Sequence, residues 1–393
     1  MAPTVKIVRI TTAPISLQML ITGQASFMSE KGLEVHLVSA PGAEWQHVET
    51  GNDIYHHVVP MARQISIWQD VQSLWQLYQL LKKIQPQIVH SHTPKAGLLG
   101  MIAAKLARVP VRLHTLAGLP LQTTTGIKRR ILTWAEELTY AFAQEVWVNS
   151  LQLKSFILAQ KMIRPSKAFM ILGGSSNGIN LSQFNPATLA PKRLAEIAQQ
   201  HGFIPTDFIF LAVGRVVKDK GIVELLAAFK HIHTQFPHTK LCILGPLEQH
   251  LDPLPADAIT TLTTHPAIVH VHWSNEVAYY MQLAHCLVHA SHREGFPNVL
   301  LQAGAMNLPI ICSEISGNTD IVTQENEGFI YPVKNTKVLQ QQMVTVLTQP
   351  TLAAAKAATL QQKVIHQFER SSFHTAIFDR YQFHLSQKNI HVR

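Results

Sequence analysis

At 393 residues, 47% of them hydrophobic and only 15% charged, the chain is too long for one ordinary core and too apolar to be disordered, so two folded domains are expected. A formal charge of +9 implies anionic partners, among which nucleic acid, anionic lipid and phosphorylated small molecules all qualify. No apolar run of about 18 residues occurs, so no transmembrane helix is expected.

The first stretch, "VKIVRITTAPIS", alternates apolar and basic residues as a strand does and lacks the apolar core of a signal peptide, so a cytoplasmic location is expected. A helix is predicted from about Leu17 to Lys31, followed by the strand "EVHLVSA" and the turn "PGAE". In "SIWQDVQSLWQLYQLLKKIQ", Trp68, Val71, Leu74, Trp75, Leu77, Tyr78 and Leu81 recur at helical spacing. Strand "PQIVHSH", helix "AGLLGMIAAKLARV" and strand "PVRLHTLAG" continue the alternation. Such βα repetition predicts parallel sheets covered by helices, with ligands at the carboxyl ends of the strands.

A Gly-, Ser-, Asn- and Pro-rich stretch, "ILGGSSNGINLSQFNPATLAPKR", reads as an interdomain connection, and the pattern restarts at "FIFLAVGRV". Strands "KLCILG", "IVHVHW", "CLVHAS" and "PIICS" follow. The last helical segment, about Thr336 to Arg380, is too long for one helix. The expected division is 1–180 for an N-terminal Rossmann-like domain, 181–365 for a C-terminal one, and 366–393 for a helix crossing back to the first.

Cys242, Cys286 and Cys312 lie in apolar runs without paired spacing and read as reduced core residues. The 22 histidines include no H-E-x-x-H, and "HSH" at 90–92 has no cysteine or carboxylate cluster beside it. Neither a metal nor a cofactor is expected. A phosphate loop, a G-x-G-x-x-G after a strand and an Asp-x-Asp pair are all absent, so a diphosphate ligand has to be neutralised by protein groups.

"VGRVVKDKGIVELLAAF" supplies Arg215 and Lys220 at a strand's carboxyl end, as phosphate-binding cations or as scattered charges of a solvated loop. "LVHASHREGFPNVLLQA" is strand, loop and helix. Pro297 suits the first helical position, and the amides of Asn298 and its neighbours then form an anion site. Gly295 permits close backbone approach. Glu294 beside such a site is suited to accept from sugar hydroxyls.

"GRVVKDKG", "EGFPNVLLQA", "SGNTDIV" and "HSHTPKAGLLGMIAAKLARVPVRLHTLAGLP" together resemble the retaining nucleotide-sugar glycosyltransferases of family 4, in their bacterial polysaccharide branch. The resemblance covers most of the chain and implies the GT-B architecture, two doubly wound Rossmann-like domains facing a cleft. It implies a nucleotide-sugar donor, UDP-linked by family frequency, and a free or polyprenyl-diphosphate-linked saccharide acceptor. Arg215 and Lys220 match the residues that hold the donor diphosphate, Glu294 the first carboxylate of the E-x7-E motif, and Gln302 the position of the second, which holds the ribose. Gly214, Gly295, Phe296, Pro297, Asn298 and, from "TTAPIS", Ser16 fall in the donor-binding segments. His114 matches a histidine beside the donor sugar, with a strand-end packing role as the alternative. His92, Lys95 and Gly118 fall on the acceptor side. Trp273 lies where the family binds the base, or is a core or rim residue. A helix-start role explains Asp320.

"GIKRRILTWAEELTYAF" places Lys128, Arg129 and Arg130 with Trp134 on an amphipathic helix, either a contact for anionic membrane or a solvated basic face. Nucleic-acid binding rests on net charge alone and is not expected. The rival readings are a GT-B epimerase or inverting transferase, and a nucleotide-sugar-binding partner subunit of weak activity, which Gln302 alone favours.

Overall fold

Runs rich in Val, Ile and Leu, bounded by Gly, Pro or Asn, become strands buried on both faces, as parallel sheets require. The structure, a computed structural model, describes residues 4–62, 66–119, 121, 124–250 and 252–392, so Pro120 of "LAGLP" lies outside the described residues. The chain divides into two units, residues 1–177 with 371–393 and residues 178–370.

In the first unit, β1 (Lys6–Ile10), α1 (Pro14–Ile21), α2 (Gln24–Glu30), β2 (Glu34–Ser39) and β3 (Ile54–Val58) lead into α3 (Ile67–Ile84). Then come β4 (Ile88–Ser91), α4 (Pro94–Leu106), β5 (Val111–Leu116), α5 (Gly126–Phe142), β6 (Glu145–Val148), α6 (Leu151–Ala159) and β7 (Ala168–Phe169). They build a seven-stranded parallel sheet, β3-β2-β1-β4-β5-β6-β7. Small residues let α4 lie close on that sheet: a Cβ at Gly100 would sit 3.0 Å from Ile10 Cδ1.

The second unit runs α7 (Pro191–His201), β8 (Phe208–Val213), α8 (Ile222–Gln235), β9 (Thr239–Leu244), α9 (Ala256–Thr264), β10 (Ile268–Val271) and α10 (Val277–Leu283). It continues with β11 (Cys286–His289), α11 (Asn298–Ala305), β12 (Ile310–Ser313), α12 (Asn318–Ile321), β13 (Phe329–Tyr331), α13 (Thr336–Thr348) and α14 (Pro350–Gln367). Its six strands are also parallel, in the order β10-β9-β8-β11-β12-β13. The last helix, α15 (Arg370–Ser386), belongs almost entirely to the first unit. There Tyr381 OH lies 2.6 Å from His90 Nδ1, and Arg380 Nε donates to Glu145 Oε2 at 2.9 Å.

Local geometry departs from the sequence expectation at one helix and adds detail to it at two others. The helix expected from Leu17 to Lys31 is broken at Gly23, whose φ of 81° ends one helix and starts the next. The segment from Thr336 divides into α13, α14 and α15, with Pro350 opening the second of these. Along α3 only part of the helical pattern faces inward: Leu77, Leu81 and Ile84 are buried, whereas Trp68, Val71 and Trp75 are exposed. The three cysteines are free and buried, as expected.

Candidate active site

In the second unit the strand order reverses between β8 and β11, the place where a doubly wound sheet opens a crevice at its carboxyl end. The loops leaving these adjacent strands are the "GRVVKDKG" and "HREGFPN" segments. They are fastened to each other: His292 N donates to the Asp219 carbonyl at 2.9 Å, Arg293 Nε meets Asp219 Oδ2 at 2.9 Å, and His292 Nε2 lies 3.1 Å from Glu224 Oε1. Gly221, with φ of 67°, makes the close approach feasible, because a Cβ there would overlap the Ala290 carbonyl.

Lys220 and Glu294 meet at this junction. The Lys220 ammonium donates to Glu294 Oε1, which also accepts from Ser291 Oγ at 2.8 Å and lies 3.2 Å from His289 Nε2. The Glu294 side chain is only 15% exposed. Burial alone would raise its carboxyl, but the His289 ring and the Lys220 charge outweigh that and hold it well below the usual carboxylate range. Glu294 is therefore an ionised, acceptor-only group at neutral pH. Arg215 lines the same small cavity as Lys220, Gly214, His289 and Ser291, and its Nη1 pairs with Glu248 Oε2 at 3.0 Å.

α11 starts directly beyond Glu294. Pro297 is its N-cap, at φ −79° and ψ 106°, rather than its first helical residue; the Pro ring fixes φ while the extended ψ turns the chain into the helix. Leu300 N donates back to the Pro297 carbonyl at 3.1 Å, leaving the first-turn amides of Asn298 and Val299 without an intrahelical partner. A third loop supports this turn, for Gly317 packs on the Gly295 backbone and Asp320 Oδ2 accepts from Gly317 N at 3.2 Å. Asp320 thus has the helix-start role read from the sequence. Phe296 turns away to Phe368, ring centroids 5.7 Å apart. Gln302 lies half-buried one turn beyond Asn298, on the same helix face. Trp273 stands exposed just past the end of β10.

The first-unit candidates are placed differently. His114 is 1% exposed, with Nδ1 2.9 Å from Ser91 Oγ and the ring wedged beneath α4, where a Cβ on Gly97 would come within 2.6 Å of His114 Cε1. Burial lowers its pKa to about 4, so it is neutral. Of the two roles open to it, these surroundings match packing, because the strand runs on through Leu116 and leaves the ring inside the layer. His92 is likewise buried, its Nε2 accepting from Arg9 Nε at 2.9 Å. Lys95 is paired with Asp70 at 2.6 Å. Gly118 lies half-buried in the loop after β5, and Ser16, half-buried in α1, donates its N–H to the Ala13 carbonyl at 2.9 Å. The first-unit sheet reverses between β1 and β4, and there Thr12 and Thr93 join the two exit loops with hydroxyls 2.7 Å apart.

Sequence reasoning missed His289, Ser291 and Glu248. His289 ends β11 and Ser291 follows two residues on, so the rule that ligands gather at strand ends was the signal that could have found them. Nothing marked Glu248, which is 33 residues from Arg215 in the chain.

Two doubly wound parallel units in one chain, one with a cationic loop and a helix N-terminus meeting at its switch point, define the GT-B class of glycosyltransferases. The glycosyl transferases group 1 model matches residues 195–363, and the glycosyl transferase 4-like domain matches residues 18–174. The chain is 34% identical over 348 residues to the capsular polysaccharide biosynthesis glycosyltransferase CapM of Staphylococcus aureus, covering 88% of this chain and 89% of that protein. It is 30% identical to the UDP-Gal:alpha-D-GlcNAc-diphosphoundecaprenol alpha-1,3-galactosyltransferase of Escherichia coli, over 70% of this chain and 69% of that one. Among solved structures, Anabaena Alr3699/HepE in complex with UDP and glucose superposes with a TM-score of 0.78 at 17% identity, over 96% of this chain and 99% of that chain. The protein belongs to the group 1 glycosyl transferase family.

Proposed function

We propose that the protein is a retaining, metal-independent glycosyltransferase. It moves a hexosyl or N-acetylhexosaminyl group from a UDP-sugar to a saccharide carried on a polyprenyl diphosphate, in the synthesis of a bacterial capsule, exopolysaccharide or O-antigen. The observation that carries this reading is the junction of Lys220, Arg215, Glu294 and the α11 N-terminus at the β8/β11 switch point. The name of the E. coli relative supports the donor and acceptor class and that of the S. aureus relative supports capsule synthesis, and the Anabaena structure, in complex with UDP, supports the nucleotide.

In this reading the donor diphosphate lies against the α11 N-terminus, within reach of Arg215 and Lys220. Lys220 exchanges its bond to Glu294 for a phosphate oxygen, and Arg215 leaves Glu248 for another. The bond between the anomeric carbon and the β-phosphate oxygen breaks, its electron pair staying on the phosphate, where the two cations and the helix amides stabilise it. The acceptor hydroxyl forms the new bond on the same face and passes its proton to the leaving phosphate. Glu294, held ionised, accepts from hydroxyls of the transferred sugar, and Gln302 bonds the ribose. No helix among the described residues is long and apolar enough to cross a membrane. The enzyme reaches its acceptor from the cytoplasmic face as a peripheral protein, with Lys128, Arg129 and Arg130 against anionic lipid.

The test is a panel of nucleoside diphosphates and nucleotide sugars, read first by thermal shift and then by release of nucleoside diphosphate with a lipid-linked acceptor. Stabilisation by UDP and turnover of a UDP-sugar are expected. A protein stabilised by no nucleoside diphosphate contradicts the reading.

A further inference from the structure

α3 and α5 each pack against α4 and present their other faces to solvent. On α3 the outward stripe is Ile67, Trp68, Val71 and Trp75, with Trp68 87% exposed and Trp75 59% exposed. The stripe itself carries no charge, and the helix's first-turn acid, Asp70, is engaged by Lys95. On α5 the exposed residues Ile127, Ile131 and Trp134 repeat at i, i+4 and i+7, with Lys128 and Arg130 exposed between them. A soluble surface seldom leaves three tryptophans and four aliphatic side chains open on two helices that flank a third, here α4. Each helix follows a strand of the same parallel sheet and so starts at the sheet's carboxyl end, which puts the apolar stripe and the basic cluster, both in the first turns of their helices, toward the same end.

We infer that the outward faces of α3 and α5 form one membrane-docking surface, in which Trp68, Trp75 and Trp134 enter the interfacial layer of an anionic bilayer while Lys128, Arg129 and Arg130 meet its headgroups. The inference rests on the peripheral-membrane reading above and adds the α3 half, which no charge argument reaches. Charge complementarity selects the occupant. An apolar stripe without charge and a basic cluster on the two helices that flank α4, on a chain of net charge +9, match anionic lipid, and tryptophan is the side chain favoured at the headgroup level. Insertion of α3 orients the first unit on the membrane, whereas a basic cluster alone gives attachment without a fixed orientation.

The test is co-sedimentation of the full chain with large vesicles of phosphatidylethanolamine, with and without phosphatidylglycerol, together with quenching of tryptophan fluorescence by lipids brominated along the acyl chain. Binding that needs phosphatidylglycerol, with quenching, is expected. Trp68→Gln/Trp75→Gln should weaken it about tenfold and remove most of the quenching, while Lys128→Gln/Arg129→Gln/Arg130→Gln should weaken it about 100-fold. All five positions lie on the two docking helices and none is among the residues assigned to donor binding, so nucleoside diphosphate release with a water-soluble acceptor should be unchanged. Parent-like binding and quenching by the tryptophan variant overturns the α3 proposal while leaving the electrostatic contact intact. Absence of vesicle binding by the parent overturns both. A concentration-dependent dimer that the tryptophan variant abolishes, without vesicle binding, assigns the surface to a second copy and also overturns the proposal.

Discussion

Lys220 and Glu294, 74 residues apart in the chain, are joined by a direct ion pair across the switch point of the second unit. Each is thus held in place by the charge that a bound diphosphate sugar would redistribute. Replacing Lys220 with Ala leaves a largely buried carboxylate without its cation, a change that costs about 3 kcal/mol in comparable settings. Glu294→Gln relieves that penalty, so Lys220→Ala/Glu294→Gln should be destabilised by less than the sum of the single variants. Denaturant titration of the four proteins measures the difference, and strict additivity would show that the pair is not coupled.

Glu145 couples stability to pH in the first unit. Burial would raise its carboxyl, but His384, Arg380 and Trp147 outweigh burial and lower it to about 2. Its folded pKa is depressed, so its contribution is fully present above the unfolded value near 4.5 and is lost as pH falls toward 2. A shift of that size corresponds to about 3 kcal/mol. Glu145→Gln should therefore be less stable than the parent at pH 7 and should show a shallower fall in unfolding free energy between pH 4.5 and 2.5, measured by urea denaturation.

His114 is expected to matter for folding and not for turnover. His114→Ala empties a site beneath α4 and should cost about 2 kcal/mol or more, with kcat of the folded fraction within threefold of the parent. A stable variant with kcat reduced 100-fold would instead place the ring at the donor. Gly97→Ala gives an independent check. In an ordinary helix interior this change stabilises by about 1 kcal/mol, but here the added methyl meets the buried His114 ring, so a lower melting temperature is expected.

Gly221→Ala should separate the two loops of the candidate site, because the added methyl overlaps the Ala290 carbonyl and φ is positive. KM for the donor should rise and kcat fall, by tenfold or more together, in steady-state kinetics.

Gln302→Glu should tighten donor binding by about tenfold, since a charged acceptor strengthens a bond to a ribose hydroxyl on the order of 1 kcal/mol. Calorimetric titration with UDP compares it with the parent and with Gln302→Ala. Equal affinity in all three would show that residue 302 touches no ligand.

Much of the fold was legible in the sequence because parallel strands buried on both faces are written as unbroken apolar runs, "FIFLAV" and "CLVH" among them. The two loops of the candidate site were legible for the same reason, since they begin where those runs end. The partners inside the site were not. Lys220 and Glu294 both read as ligand-facing, and only the adjacency of β8 and β11, which strand order decides, brings them to each other. His114 read as a residue beside the donor sugar or a packing residue because nothing local shows that Gly97 of α4 lies directly over its buried ring. Along α3, tryptophans and leucines share one helical period, and periodicity does not say which of two apolar stripes meets the sheet.

The decisive measurement is the rate of nucleoside diphosphate release from the preferred nucleotide sugar by the parent, Arg215→Ala and Lys220→Ala proteins, each shown to be folded, with a lipid-linked acceptor. Loss of two or more orders of magnitude in kcat in both variants is the expected result, on the scale of removing one donor from a developing oxyanion. Near-parental turnover in either variant would contradict the assignment of these cations to the leaving diphosphate.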